Sequence, residues 1–256
     1  MTQQTDPAES PAPPTGGDLV RRHGLVTRVW HWLNALVVVI MLMSGLMIFN
    51  AHPRLYWGHY GANADPAWLD LEKVNRGIPF PGWITIPSDY SLADARLWHL
   101  AFAWLLATAL IGYLLWALLS GRLRRELAPR LAELAPRHVW HDIRQHARLR
   151  FPTGAAALRY NVLQKLAYSA VLLVLLPGIV LTGLGMSPGM DAAWPWLVDL
   201  FGGRQSARSL HFLCAFALVG FFVVHIAMVV LAGPLNELRA IITGWYRLPP
   251  EREDQP

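Results

Sequence analysis

Residues 209–232 read SLHFLCAFALVGFFVVHIAMVVLA. A helix needs about 20 apolar residues to cross about 30 Å of hydrocarbon, and this run supplies them. The backbone polar groups of such a segment must be satisfied within the segment, which favours a helix over an open strand. His211 and His225 break the apolar run, and they stand 14 residues apart. At 1.5 Å per residue the two are about 21 Å apart along a helix axis, and 14 steps of 100° return to within about 40° of the same face. One helix therefore offers an imidazole near each membrane surface. An ionisable side chain inside a span is costly and normally faces the bundle interior.

Three more stretches have the same character, residues 30–49, 92–119 and 162–186. The composition agrees, with 54% hydrophobic and 15% charged residues, against roughly 45–50% and 25% in soluble domains. The expectation is an all-α fold, an integral membrane four-helix bundle over residues 21–235, with tails at 1–20 and 236–256. The first tail is rich in proline and small polar residues and lacks the features of a cleaved leader. Orientation follows from arginine. The segment between the second and third spans runs from Arg122 to Arg159 with seven further arginines between them, which marks it as cytoplasmic and puts both termini on that side. An amphipathic stretch at 131–143 could lie on that inner surface. The net charge of +5 is explained by this asymmetry, so no nucleic acid is expected. The opposite, outer segment at 50–91 carries Trp57, Trp68 and Trp83. It reads as an unstructured loop or, alternatively, a docking surface. Cys214 is the single cysteine, so neither an intrachain disulfide nor a Cys-x-x-Cys-His attachment is available.

The four histidines of the spans sort by depth. With both ends inside, His31 and His225 fall near the inner surface, and His99 and His211 near the outer. Two imidazoles at one level on facing helices can hold an iron porphyrin from both sides, closing the iron to oxygen and leaving electron transfer. Zinc usually takes four ligands, more than each pair supplies. Two non-covalent haem b groups are expected, His31/His225 inner and His99/His211 outer, although a lone span histidine can also be structural. Arg28, Arg96 and Arg208 lie a few residues from His31, His99 and His211. They could pair with haem propionates or reach lipid phosphate. Gly45, Gly112 and Gly183 could leave room for a flat ring or mark helix contacts.

The motif Arg28-Val29-Trp30-His31-Trp32, followed by Ser44-Gly45, resembles the first helix of the di-haem cytochrome b subunits of nickel-iron hydrogenase, formate dehydrogenase-N and thiosulfate reductase. The likeness runs from about residue 22 to 232, and the long loops resemble the thiosulfate reductase type most. It implies the same ligand pairs. The segment from Arg159 to Lys165, with Tyr160, Asn161 and Gln164, is similar to the family's segment beside the inner haem. There the resemblance implies quinone binding, with amides able to donate to a quinone carbonyl. Capping of the third helix is the alternative.

The expected function is electron transfer between quinone in a bacterial inner membrane and a periplasmic redox subunit, which family analogy makes a molybdenum enzyme. Homo-oligomer formation is left open. Two other readings remain: a stand-alone cytochrome serving a small oxidant such as superoxide, and a haem-free scaffold or transporter.

Overall fold

The structure, a computed structural model, describes residues 15–148 and 151–250. Of the expected N-terminal tail, residues 1–14 lie outside the described residues.

A short strand, β1 (Leu19–Arg21), leads into the first span, α1 (Leu25–Asn50). The outer segment follows, with the two-residue strands β2 (Arg54–Leu55) and β3 (Leu69–Asp70) paired antiparallel. The second span, α2 (Leu92–Leu119), starts at Ser91, whose side chain accepts the Asp94 N–H. On the inner side α3 (Pro136–Ala147) sits a few residues later than the amphipathic stretch read from sequence.

The third span is broken in the middle. It runs as α4 (Val162–Ala170), a π-helical turn (Val171–Leu175) and α5 (Leu176–Gly185). Pro177 accounts for the break, because its ring has no N–H to donate and would clash with the carbonyl four residues earlier, and a wider turn relieves both. Two short helices, α6 (Pro188–Ala193) and α7 (Pro195–Leu200), lie on the outer side and lead to the fourth span, α8 (Arg204–Ala232).

Four segments of 26, 28, 30 and 29 residues are long and apolar enough to cross a membrane. The architecture is thus the expected all-α membrane bundle. Within it α1 packs on α2, and α5 on α8. The shared core is aliphatic and aromatic, with Val37, Met41, Leu106, Leu110, Tyr113, Leu172, Leu176 and Leu218 buried. The outward faces carry exposed Trp104, Leu118 and Val224, the side chains a hydrocarbon surround favours.

Two features were not expected from sequence. The stretch after the fourth span is not a plain tail: it forms α9 (Pro234–Thr243), and the boundary expected at 235/236 falls inside this helix. A strand, β4 (Trp245–Arg247), then pairs antiparallel with β1, Val20 opposite Tyr246. Arg22 reinforces the ribbon, bonding Glu237 at 3.2 Å and lying over the Tyr246 ring at 4.5 Å.

The outer segment, expected as an unstructured loop, is tied to the start of α8. The Gly58 carbonyl accepts the N–H groups of Gln205 and Ser206 at 3.0 and 3.2 Å, and Ser206 Oγ accepts the Gly58 N–H at 2.7 Å. The first N–H groups of a helix lack partners within it, and here the loop supplies them. Gly203 permits the approach: its φ is 112°, and a Cβ there would stand 2.5 Å from the Gly58 carbonyl.

Candidate functional site

The four span histidines meet as two pairs. His99 of α2 and His211 of α8 have ring centroids 6.1 Å apart. At the arginine-rich end His31 of α1 and His225 of α8 are 6.3 Å apart. Two imidazoles binding one metal ion from opposite sides, with metal–nitrogen bonds of about 2 Å, put their centroids about 6–6.5 Å apart. Among the described residues no three metal-ligating side chains converge, so each level offers a pair and not a tetrahedral set.

The outer pair is held by matching devices. Ser44 Oγ lies 3.0 Å from His99 Nδ1, and Thr182 Oγ1 lies 3.1 Å from His211 Nδ1. Each hydroxyl also lies within hydrogen-bonding distance of the carbonyl four residues back in its own helix, Ile40 at 2.8 Å and Gly178 at 2.6 Å. With its single hydrogen committed there, each hydroxyl oxygen is the acceptor and the imidazole Nδ1–H the donor. Nε2 is then the nitrogen with a free lone pair, the atom a metal ion binds. The next residue in each helix is glycine, and the ring lies against it. A Cβ on Gly45 would be 3.3 Å from His99 Cε1, and one on Gly183 would be 3.4 Å from His211 Cε1. Gly112, grouped with these two from sequence, faces open space.

The inner pair is set differently. His31 Nδ1 is buried without a partner among the described residues, and the His225 ring stacks on Phe221 at 5.6 Å. Phe221 meets Tyr168 edge-on at 6.3 Å, and Tyr168 meets Tyr160 edge-on at 5.4 Å. An aromatic series thus links the inner histidine to the start of the third span. There Asn161 and Gln164 form a capping box: Asn161 Oδ1 accepts the Gln164 N–H at 2.9 Å, and Gln164 Oε1 accepts the Asn161 N–H at 3.2 Å. The alternative of a helix cap is therefore a real structural role. It uses the amide oxygens, whereas a quinone carbonyl would need an amide N–H.

The three arginines have separate surroundings. Arg28 donates to the Ile242 carbonyl at the end of α9. Arg208 donates to the His52 carbonyl at 2.5 Å, one turn before His211. Arg96 is exposed, one turn before His99. Close to the inner pair, sequence reading left His23 unassigned. Burial pushes it down to about 4, and the positive charges of Arg22, Arg122, His31 and Arg28 act in the same direction.

The sequence profile of prokaryotic cytochrome b561 matches residues 22–244, from before the first span to the end of α9. The chain belongs to the prokaryotic cytochrome b561 family. Membership makes it a multi-pass membrane b-type cytochrome, and the family's cofactor is haem b. It is 33% identical over 221 residues to an Azospira oryzae protein named as a protein-methionine-sulfoxide reductase subunit, covering 85% of this chain and 93% of that one. It is 25% identical over 243 residues to a protein of Azotobacter vinelandii named as a Ni/Fe-hydrogenase B-type cytochrome subunit, with 89% and 88% covered. A Cupriavidus necator protein of the same name is 23% identical over 209 residues, with 78% and 74% covered.

Haem b suits what this cytochrome presents. The donors are imidazoles in facing pairs, two of them oriented through Nδ1, with glycines where the rings press closest. Sequence reading missed Ser44 and Thr182 as partners of the histidines. The available signal was a hydroxyl residue directly before a glycine in both the first and third spans.

Proposed function

We propose that this cytochrome carries two haem b groups, His31/His225 at the inner level and His99/His211 at the outer, and moves electrons between quinone and a redox enzyme on its outer face. The observation that carries this reading is the pair of ring separations, 6.3 and 6.1 Å, at the two ends of one helix. Haem b held by these imidazoles would supply a one-electron iron couple. The protein's own part is to orient the four imidazoles, exclude water with the buried bundle core, and offer propionate partners at Arg28, Arg96 and Arg208.

The segment around Tyr160, Asn161 and Gln164 is the proposed quinone site, and the aromatic series to His225 supports it. Quinol oxidation releases two electrons and two protons per molecule, and a quinol bound at this segment would release its protons on the arginine-rich side. The relatives named as subunits of a reductase and of hydrogenases support an oxidoreductase partner. Family analogy points to a molybdenum enzyme in the periplasm, and to closeness with the thiosulfate reductase type. The arginine asymmetry supports a bacterial inner membrane protein with its arginine-rich side cytoplasmic.

The test is a reduced-minus-oxidised spectrum of the purified protein with haem counted per chain, beside His31→Ala and His211→Ala. Two b-type haems, with a different one lost in each variant, are expected. A colourless protein from haem-replete cells would leave the scaffold or transporter reading instead.

A further inference from the structure

The outer pair and the inner His31 differ in what their Nδ1 atoms meet. Ser44 and Thr182 occupy equivalent places in two helical hairpins: each precedes the glycine that the histidine ring touches, and each accepts the Nδ1–H of the next span's histidine. The chain has thus built the same cradle twice, once in α1 for α2 and once in α5 for α8. At the inner level His31 Nδ1 is buried and meets no acceptor among the described residues.

We infer that Ser44 and Thr182 are positioning residues that set the outer site to a lower reduction potential than the inner one. An acceptor at Nδ1–H draws the proton, places electron density on the ring and makes Nε2 a stronger donor. A stronger donor favours ferric over ferrous iron, so the site becomes harder to reduce. The same porphyrin bound at both levels is thereby poised unequally by two side-chain oxygens. Electrons then tend to rest at the inner level, beside the proposed quinone segment. This inference rests on the two-haem reading above.

The experiment is a redox titration of the purified full-length protein, with haem counted per chain in every sample. Ser44→Ala and Thr182→Val each remove the acceptor. Both should raise the midpoint of the lower-potential haem, the one lost in His211→Ala, and leave the other midpoint in place. The ferrous-to-ferric ratio of that haem at a fixed ambient potential should rise about fivefold, as expected for loss of one hydrogen bond. Ser44→Thr and Thr182→Ser keep an acceptor and should restore the native midpoint. Two haems with unchanged midpoints, equal shifts of both, or a shift of the higher-potential haem would overturn the inference alone. A haem count other than two in the native protein would overturn the reading beneath it as well.

Discussion

Trp68 Nε1 donates a hydrogen bond of 2.9 Å to Ser209 Oγ, across a loop and two residues before His211. Ser209 in turn donates to the Tyr56 carbonyl at 2.6 Å and is fully buried. Trp68→Phe removes one hydrogen bond and should cost about 1 kcal/mol, whereas Ser209→Ala leaves the Trp68 N–H and the buried Tyr56 carbonyl without their partner and should cost about 2 kcal/mol or more. Thermal melts followed by circular dichroism in detergent would rank the two, and the reverse order would refute the clamp.

Gly45, Gly183 and Gly112 should separate cleanly. Gly45→Ala and Gly183→Ala press a methyl to 3.3 and 3.4 Å from an imidazole carbon, so each should disturb the outer haem in the optical spectrum. Gly112→Ala meets open space and should stabilise the helix by up to about 1 kcal/mol through propensity alone. Equal spectral effects at all three positions would argue against the cradle.

His23 gives the protein an acid sensitivity. Its ordinary value of 6.5 is lowered to about 4 in the folded chain, so the unfolded chain binds the proton more readily. Its stabilising contribution is complete above about pH 6.5 and declines as pH falls from there through about 4. The total is roughly 3 kcal/mol at most. His23→Gln should flatten the stability profile in this window, and an unchanged profile would assign the acid sensitivity elsewhere.

Asn161 can be made to reveal which of its roles matters. Asn161→Asp keeps an acceptor for the Gln164 N–H but loses the amide donor. It should slow quinol-driven haem reduction. Asn161→Ala removes the cap too and should cost about 1 kcal/mol. Full quinol reactivity in the Asp variant would reduce Asn161 to a cap.

The spans and the levels of the histidines were legible because hydrocarbon imposes a length and helical geometry fixes depth: residues 92–119 came out with the bounds of α2. The pairing His31/His225 and His99/His211, reached from depth, coincides with the ring contacts. What escaped was everything set by distant backbone. The anchoring of Gly58 on α8 depends on carbonyl and amide groups that carry no sequence signature. The π turn of the third span was foreshadowed only by Pro177, and the pairing of Val20 with Tyr246 links three-residue strands too short for an alternating pattern. Ser44 and Thr182 were readable as hydroxyls beside glycines, but their partners lay on other helices.

The ribbon between β1 and β4 makes the bundle closed in a topological sense. Residues just before the first span and just after the last are hydrogen-bonded neighbours, and Trp32 reaches across the same seam to the Ile241 carbonyl at 3.3 Å. The inner histidine pair bridges the first and fourth spans at this seam, so it forms only when the fourth span packs back beside the first. The outer pair, made by the second and fourth spans, lies away from that closure. A chain truncated before α9 would keep all four histidines yet lack the clasp that joins the flank of the first span to that of the last.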